Sequence, residues 1–367
     1  MADKIRVAVV GCGGMGRHHV EVVQRLDGFA VAALCDVSAE ALARMGDQYQ
    51  VEARYQDCEV MLEEVKPDIT AVVTQTRGHV GPAVAALRRG VSVLCEKPIA
   101  IDLAEADQMV EAARASGAKL AINQQNHLHP GITRALELVE EGLIGEVLLV
   151  RGRNKAGRRS GNEFMEMGTH VTDMMLRFGG PPQWCAGSVW VGDRLAGPQD
   201  IMEAKEMSPQ DRDSGLVMGD RALGTYGFEG GVLGEIHFLD HEKTYNANYG
   251  VDVLGRQGQL AVRIVASGGH QLWHLPRPLE GAAGAGGDWQ PVELPEAPEP
   301  MALMYRGLAA AAASGAEPPG SGVEGRWAFE MIMAIYQSHR EGGRRVELPL
   351  ADRRHPLEEW RAEARKS

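Results

Sequence analysis

Three glycines stand close together near the start of the chain, Gly11, Gly13 and Gly16. They end an apolar run, Ile5–Val10, and Asp36 ends a second such run, Val31–Cys35, about twenty positions later. Strand, glycine turn, helix, strand and acid in this order make a phosphate cradle with a ribose acceptor behind it. Gly11 permits the tight turn, Gly13 lets the backbone approach a pyrophosphate, and Gly16 lets the helix seat on the strand. Cys12, Gly14 and Met15 complete the turn, where a helix N-terminus offers free N–H groups and a positive dipole end to phosphates. Asp36 can accept from a ribose 2′-hydroxyl and repels a 2′-phosphate, which selects NAD(H) over NADP(H).

Two more groups carry chemistry. Cys95-Glu96-Lys97-Pro98 closes the apolar run Val91–Cys95. A lysine at such a strand end can hydrogen-bond a substrate hydroxyl and steady developing alkoxide charge. Pro98 fixes the backbone there and allows a cis peptide. The second group lies on a Met-rich segment, Phe164–Phe178, read as a helix. Glu166, His170, Asp173 and Arg177 share one face of it. A histidine flanked by two carboxylates is a proton acceptor near neutral pH. The same stripe also fits a solvated amphipathic helix, and Lys97 alone also fits a surface loop. Gly168 inside this helix costs about 1 kcal/mol relative to alanine, which calls for close approach of a ligand or another backbone.

These residues need elements to hold them. Further apolar runs at Ile69–Thr74 and Leu120–Ile122 alternate with helical segments. Ser38 and Asp57 are in position to cap two of those helices, and Asp102-Leu103-Ala104-Glu105 forms a capping box for a third. The pattern predicts an α/β fold whose amino-terminal part is a doubly wound parallel sheet. Its ligand belongs outside the carboxyl ends of the strands, at Gly11, Asp36, Thr74, Glu96 and Asn123. After Gln125 the signals change. A helix at Pro130–Glu141 and a strand at Glu146–Arg153 precede a basic loop, Asn154–Asn162. Strands are then predicted at Trp184–Val191 and in two hairpins, Ala222–Glu229 with Val232–Asp240 and Gly250–Leu254 with Gln259–Ile264. Asp193–Ser214 reads as a polar loop and Ser267–Pro300 as irregular, before helices at Met301–Ala313 and Glu324–Arg340. The expected division is residues 1–124, residues 125–350 and a charged tail, 351–367. The second part is expected to be an α+β domain with an open, mostly antiparallel sheet.

Composition narrows the classes. A formal net charge of −12 over 367 residues disfavours nucleic acid and anionic membranes as partners. No apolar run reaches the roughly 18 residues a membrane span needs. The chain runs from Met1 directly into the first strand without a signal peptide, which places the expected location in the cytoplasm. Five dispersed cysteines without a C-x-x-C pair read as reduced core residues, with no metal site.

The glycine motif, Glu96-Lys97-Pro98 and Gly168-x-His170-x-x-Asp173, in this order, resemble the Gfo/Idh/MocA superfamily of glucose–fructose oxidoreductase, inositol dehydrogenase and rhizopine-catabolism proteins. The resemblance covers nearly the whole chain. Thr74-Gln75-Thr76 with His79 is similar to the family's Thr-Pro-Asn-x-x-His loop, and Val346-Glu347-Leu348-Pro349 is similar to its carboxy-terminal segment. The resemblance implies a Rossmann domain followed by a domain whose open sheet forms the oligomer interface, hence a homodimer or homotetramer. It implies that Thr74, Gln75, His79, Glu96 and Gln125 line the cofactor, with Lys97 near the reacting hydroxyl and His170 as acid/base. Glu166 stands where sugar-oxidising members carry aspartate, and His127 where many carry arginine. Asn154, Lys155, Arg158 and Arg159 are candidates for further hydroxyls or an acidic group, with a solvent-facing loop as the equal alternative. The implied activity is NAD-dependent hydride transfer from a secondary carbinol carbon of a sugar or polyol. His170 would take the hydroxyl proton, Lys97 would steady the oxygen, and Glu166 and Asp173 would support them. Two rivals are a redox-neutral enzyme acting on a sugar or glycoside with recycled NAD, and a non-catalytic NAD-binding regulator.

Overall fold

The computed structural model describes residues 4–154, 164–206, 213–239, 249–264, 271–276 and 288–364. The chain divides into two units. The first comprises Met1–Gln125 and Pro298–Arg326, the second Asn126–Ala297 and Trp327–Ser367.

In the first unit six parallel strands are ordered β3-β2-β1-β4-β5-β6. They are β1 Ile5–Val10, β2 Phe29–Cys35, β3 Arg54–Tyr55, β4 Ile69–Val72, β5 Ser92–Cys95 and β6 Leu120–Ile122. The central strands are apolar without alternation because helices cover both faces of the sheet, and Ala8, Val9, Leu94 and Ala121 have no exposed surface. The connecting helices are α1 Gly14–Arg25, α2 Ala39–Tyr49, α3 Cys58–Val65, α4 Val80–Arg88 and α5 Leu103–Ser116. Ser38, Asp57 and Asp102 cap α2, α3 and α5 as their positions suggested.

The second unit opens with α6, Pro130–Glu140, and is built on a mixed sheet ordered β17-β16-β15-β14-β7-β13-β12-β8-β18, with β9 paired to β8. Its strands are β7 Val147–Arg153, β8 Pro182–Val191, β9 Arg194–Leu195, β12 Arg221–Phe228, β13 Leu233–Leu239, β14 Gly250–Gly255, β15 Gly258–Arg263, β16 Leu272–Pro276, β17 Gln290–Pro291 and β18 Val346–Glu347. A separate ribbon pairs β10, Ile201–Glu203, with β11, Leu216–Met218. Only β7 and β13 run parallel; the other pairs in the large sheet are antiparallel. One face of this sheet receives α7, Gly168–Gly179, and the part of α9, Gly322–Arg340, that follows Arg326. The opposite face presents Trp184, Trp190, Leu223, Leu233, Arg151 and Glu235.

The architecture matches the expected fold class, with five local differences. Residues 298–326, assigned by sequence to the second domain, belong to the first unit. There α8, Pro300–Ser314, packs on β5 and β6 through Met301, Met304, Tyr305 and Leu308, all buried. Ser321 then pairs with Ala121 in an antiparallel bridge. The stretch expected to be irregular contributes β16 and β17, because edge pairing needs only a few residues of backbone. The polar loop after Trp190 likewise holds β9 and β10. The tail expected to be merely charged forms α10, Pro356–Ala364, whose Leu357 is buried and whose Trp360 lies edge-on to His339 at 5.5 Å.

The histidine-bearing helix also starts later than its sequence pattern suggested. Residues 164–166 are helical, Met167 forms a turn, and α7 proper begins at Gly168. The reason for Gly168 is a side chain, not a ligand or a backbone. A Cβ there would lie 2.7 Å from Ile332 Cδ1 and 3.2 Å from Phe238 Cζ, both residues being fully buried. Gly168→Ala is therefore expected to lower stability by about 1–3 kcal/mol despite its better helix propensity. Ile332→Val, which removes the colliding methyl, should cost less in that background than in the wild type. Urea midpoints of the four proteins check this coupling.

Candidate functional site in two halves

In the first unit the glycine turn follows β1. Gly11 has φ +113°, and a Cβ on it would lie 2.7 Å from the Val73 carbonyl oxygen. A Cβ on Gly16 would overlap the Gly11 carbonyl oxygen, so the start of α1 can seat only without one. Gly13 and Gly14 differ. A Cβ on either meets nothing within 4 Å, and no side chain caps α1, whose N-cap is Gly13. Open space in front of free helix N–H groups is the chemistry a pyrophosphate needs. Met15 and Cys12 flank this turn. Asp36 is fixed by the same turn: its carboxylate accepts from Cys12 N at 2.6 Å and from Ser38 N at 2.8 Å. Half-buried, and with one bond to each oxygen, it keeps lone pairs for a ribose hydroxyl.

The next two loops along the sheet edge are stitched together by His79. Its Nδ1 lies 3.0 Å from the Pro98 carbonyl and its Nε2 3.2 Å from the Thr74 carbonyl. Burial lowers its pKa, opposed by the Glu96 charge and by the surrounding backbone carbonyls. His79 thus lies between the Thr74–Gln75 loop and the Lys97–Pro98 loop, and its neutral ring donates to one of these two carbonyls. Thr74 Oγ1 donates to the Gln75 carbonyl, and Gln75 is exposed. The Lys97–Pro98 peptide is cis.

Glu96 and Lys97 are both buried, at 3% and 9% exposure. His19 Nε2 lies 3.0 Å from Glu96 Oε1, Asn123 Nδ2 donates to the same oxygen at 2.7 Å, and Lys97 N donates to Oε2 at 3.3 Å. Burial alone would raise the Glu96 carboxyl. The His19 hydrogen bond and charge, the Lys97 charge and the Asn123 amide overcome it and hold the group well below its ordinary value. Gln125, half-buried, follows at the end of β6. Its neighbour Gln124, passed over by the sequence reading, is 1% exposed, and neither end of its amide has a protein partner. A bound polar group at this edge would satisfy it.

In the second unit Glu166, His170 and Asp173 are 4%, 6% and 1% exposed. That burial rules out the solvated stripe; only Arg177, further along, faces water. His127 lies beside α7, its Nδ1 3.1 Å from Asp173 Oδ2. Helical spacing puts Asp173 near His170, and the family resemblance puts His127 near the substrate. The structure joins Asp173 and His127 to each other, across 46 positions of sequence. Asn154, at the end of β7, is buried with its Oδ1 unpartnered, and so is Thr169 Oγ1, next to His170. Lys155, Arg158 and Arg159 lie outside the described residues. No group of three or more metal-ligating side chains occurs among the described residues, and none of their helices is long and apolar enough to cross a membrane.

Sequence spacing could not pair His19 with Glu96 or His127 with Asp173, since each pair is brought together by tertiary packing. The available signal was a histidine on the inward face of α1, which requires a hydrogen-bonding partner.

Comparison with known proteins places this geometry in context. Residues 5–124 match a family model described as the oxidoreductase family with an NAD-binding Rossmann fold. D-apiose dehydrogenase of Paraburkholderia graminis is 25% identical, covering 96% of this chain and 92% of that protein. Myo-inositol 2-dehydrogenase of Thermotoga maritima is 26% identical, covering 70% and 74% respectively. Among solved structures, levoglucosan dehydrogenase in complex with NADH has a TM-score of 0.78 at 18% identity, covering 95% of this chain and all of that one. An oxidoreductase from Agrobacterium radiobacter in complex with NAD+, L-tartaric acid and magnesium has a TM-score of 0.73 at 20% identity, covering 94% and 98%. At such identities the solved structures show a shared fold.

The depressed Glu96 pKa has a pH signature. The unfolded chain binds this proton near the ordinary value of 4.5, and the folded one only at lower pH. The stabilisation is therefore complete above that value and is lost as pH falls below it. Glu96→Gln should be less stable than wild type at pH 7 and lose less stability between pH 5 and 3. Urea midpoints across that range measure both effects.

Proposed function

We propose that the chain, whose residues 5–124 match the oxidoreductase family with an NAD-binding Rossmann fold and which resembles the Gfo/Idh/MocA superfamily, is an NAD-dependent dehydrogenase of sugars or polyols. The observation that carries this reading is the open, uncapped helix N-terminus at Gly13 and Gly14 beside the fixed Asp36 carboxylate. NAD bound there supplies a nicotinamide that accepts hydride from the substrate carbon. The remaining work falls to side chains of this chain. His170, buried at 6% exposure, takes the proton from the hydroxyl on that carbon. Lys97 donates to the same oxygen and balances its negative charge as the C–H bond breaks. Glu166, four residues before His170, orients that histidine or holds a neighbouring hydroxyl. Asp173 fixes the ring of His127, which with Asn154 is placed to receive further hydroxyls.

The relatives support the substrate class: one is a dehydrogenase of D-apiose and another of myo-inositol. With D-apiose, myo-inositol and levoglucosan as probes, the wild type should form NADH in proportion to oxidised product. Product without accumulating NADH would favour the redox-neutral cycle instead. Lys97→Ala and His170→Ala should each lower kcat by about 100-fold or more with NAD+ binding retained. Near-normal turnover in both would remove the proposed chemistry.

We also propose that the chain self-associates through the face of the large sheet opposite α7 and α9. Leu223 and Leu233, 37% and 50% exposed, lie there among Trp184, Trp190 and the Arg151–Glu235 ion pair. A sheet face with partly exposed leucines beside tryptophans and a complementary ion pair gains by being covered by a like face. Leu223→Lys with Leu233→Lys should convert a dimer or tetramer to monomers in sedimentation at micromolar concentration. An unchanged assembly would exclude this face.

A further inference from the structure

Behind Lys97 a file of buried hydrogen bonds crosses the first unit. The Tyr305 hydroxyl lies 2.7 Å from His19 Nδ1, and His19 Nε2 lies 3.0 Å from Glu96 Oε1. Tyr305 and His19 have no exposed surface, and their rings meet edge-on at 5.8 Å. These residues come from α8 and α1, 286 positions apart. We propose that Tyr305 and His19 are positioning residues for Lys97, acting through the Glu96 carboxylate. The proposal rests on the reading of Lys97 as the group that steadies the substrate oxygen.

The hydrogen-bond valences carry the argument. An ionised carboxylate only accepts, so His19 Nε2 must donate to Glu96. His19 Nδ1 is then left to the tyrosine hydroxyl, which is able to donate to a neutral ring or accept from a charged one. Burial keeps Tyr305 a phenol, so a donor is always present. The tyrosine thereby sets which ring nitrogen faces the carboxylate, the role an outer hydrogen bond plays for a metal-bound histidine. At Glu96 two side-chain donors, from His19 and Asn123, converge on Oε1. The carboxylate is pinned at that oxygen, and Oε2 is presented to the Lys97 N–H. The backbone from which the Lys97 side chain departs is therefore fixed by a chain that ends at Tyr305. A buried carboxylate with fewer donors would turn or take up a proton, and either change releases that N–H.

Tyr305→Phe is the cleanest probe, because it removes one oxygen and keeps the ring packed against His19 and Phe29. The first readout needs no substrate: amide hydrogen exchange at Lys97, followed by NMR on the NAD+-bound protein. Exchange at Lys97 should rise about tenfold or more, while amides of β1 and β4 keep their protection. The second readout is catalytic. kcat with the best sugar of the panel should fall about tenfold, with NAD+ affinity, measured by fluorescence titration, within about twofold of wild type. His19→Gln should behave alike, and the double variant should be no worse than His19→Gln alone. Unchanged exchange at Lys97 overturns the proposal, as do additive effects of the two substitutions. General loss of protection or of NAD+ binding in both variants overturns it too, since the role would then be structural. If Lys97→Ala keeps its turnover, the catalytic reading fails, whereas the exchange at Lys97 still judges the coupling from Tyr305.

Discussion

A carboxylate buried at the carboxyl edge of a parallel sheet has to be kept charged, and the first unit is arranged to do so at Glu96. Desolvation works against its charge. The compensating donors arrive from α1 through His19, from the end of β6 through Asn123, and from the next peptide through Lys97. No local stretch of sequence could supply all three. Satisfying one buried charge therefore ties together segments that are otherwise separate, and it does so at the strand end where the cofactor and the substrate oxygen are proposed to meet. One loop away, His79 lies between the Thr74 and Pro98 carbonyls and can donate to one of them.

The parts of the fold that local physics determines were legible. The strands of the first unit read as uninterrupted apolar runs because both their faces are covered, and Ser38, Asp57 and Asp102 marked helix starts because their side chains satisfy N–H groups a few residues on. The parts set by tertiary pairing were not. β16 and β17 lie in a stretch rich in glycine and proline; β16 is a strand because β15 offers an edge, and β17 because β16 then offers the next. The return of residues 298–326 to the first unit has no local mark, since an amphipathic helix does not announce which sheet it will cover.

The candidate site divides the same way. The glycine turn and Asp36 were readable because the turn's own geometry demands those residues at that spacing. Lys97, Glu166, His170 and Asp173 were readable as residue types on a strand end and a helix, but their partners were not. Asp173 looked like a neighbour for His170 by helical spacing, and the structure shows it holding His127. Gly168 looked like room for a ligand and proved to be room for the Ile332 methyl. Gln124 carries no mark in the sequence, because an amide's burial and lack of partners are set by tertiary packing.

The first unit closes only with residues 298–326, so the nucleotide-binding half of this chain is not a continuous module of the gene. A fragment cut after Gln125 would leave β5 and β6 without the methionines and leucine of α8, and His19 without its phenol. Exchanging that amino-terminal piece between relatives would likewise mate one ancestor's sheet with another's closing helix. The two pieces must therefore change in concert over evolutionary time. In a genetic shuffle, the viable exchange would take both pieces from the same parent.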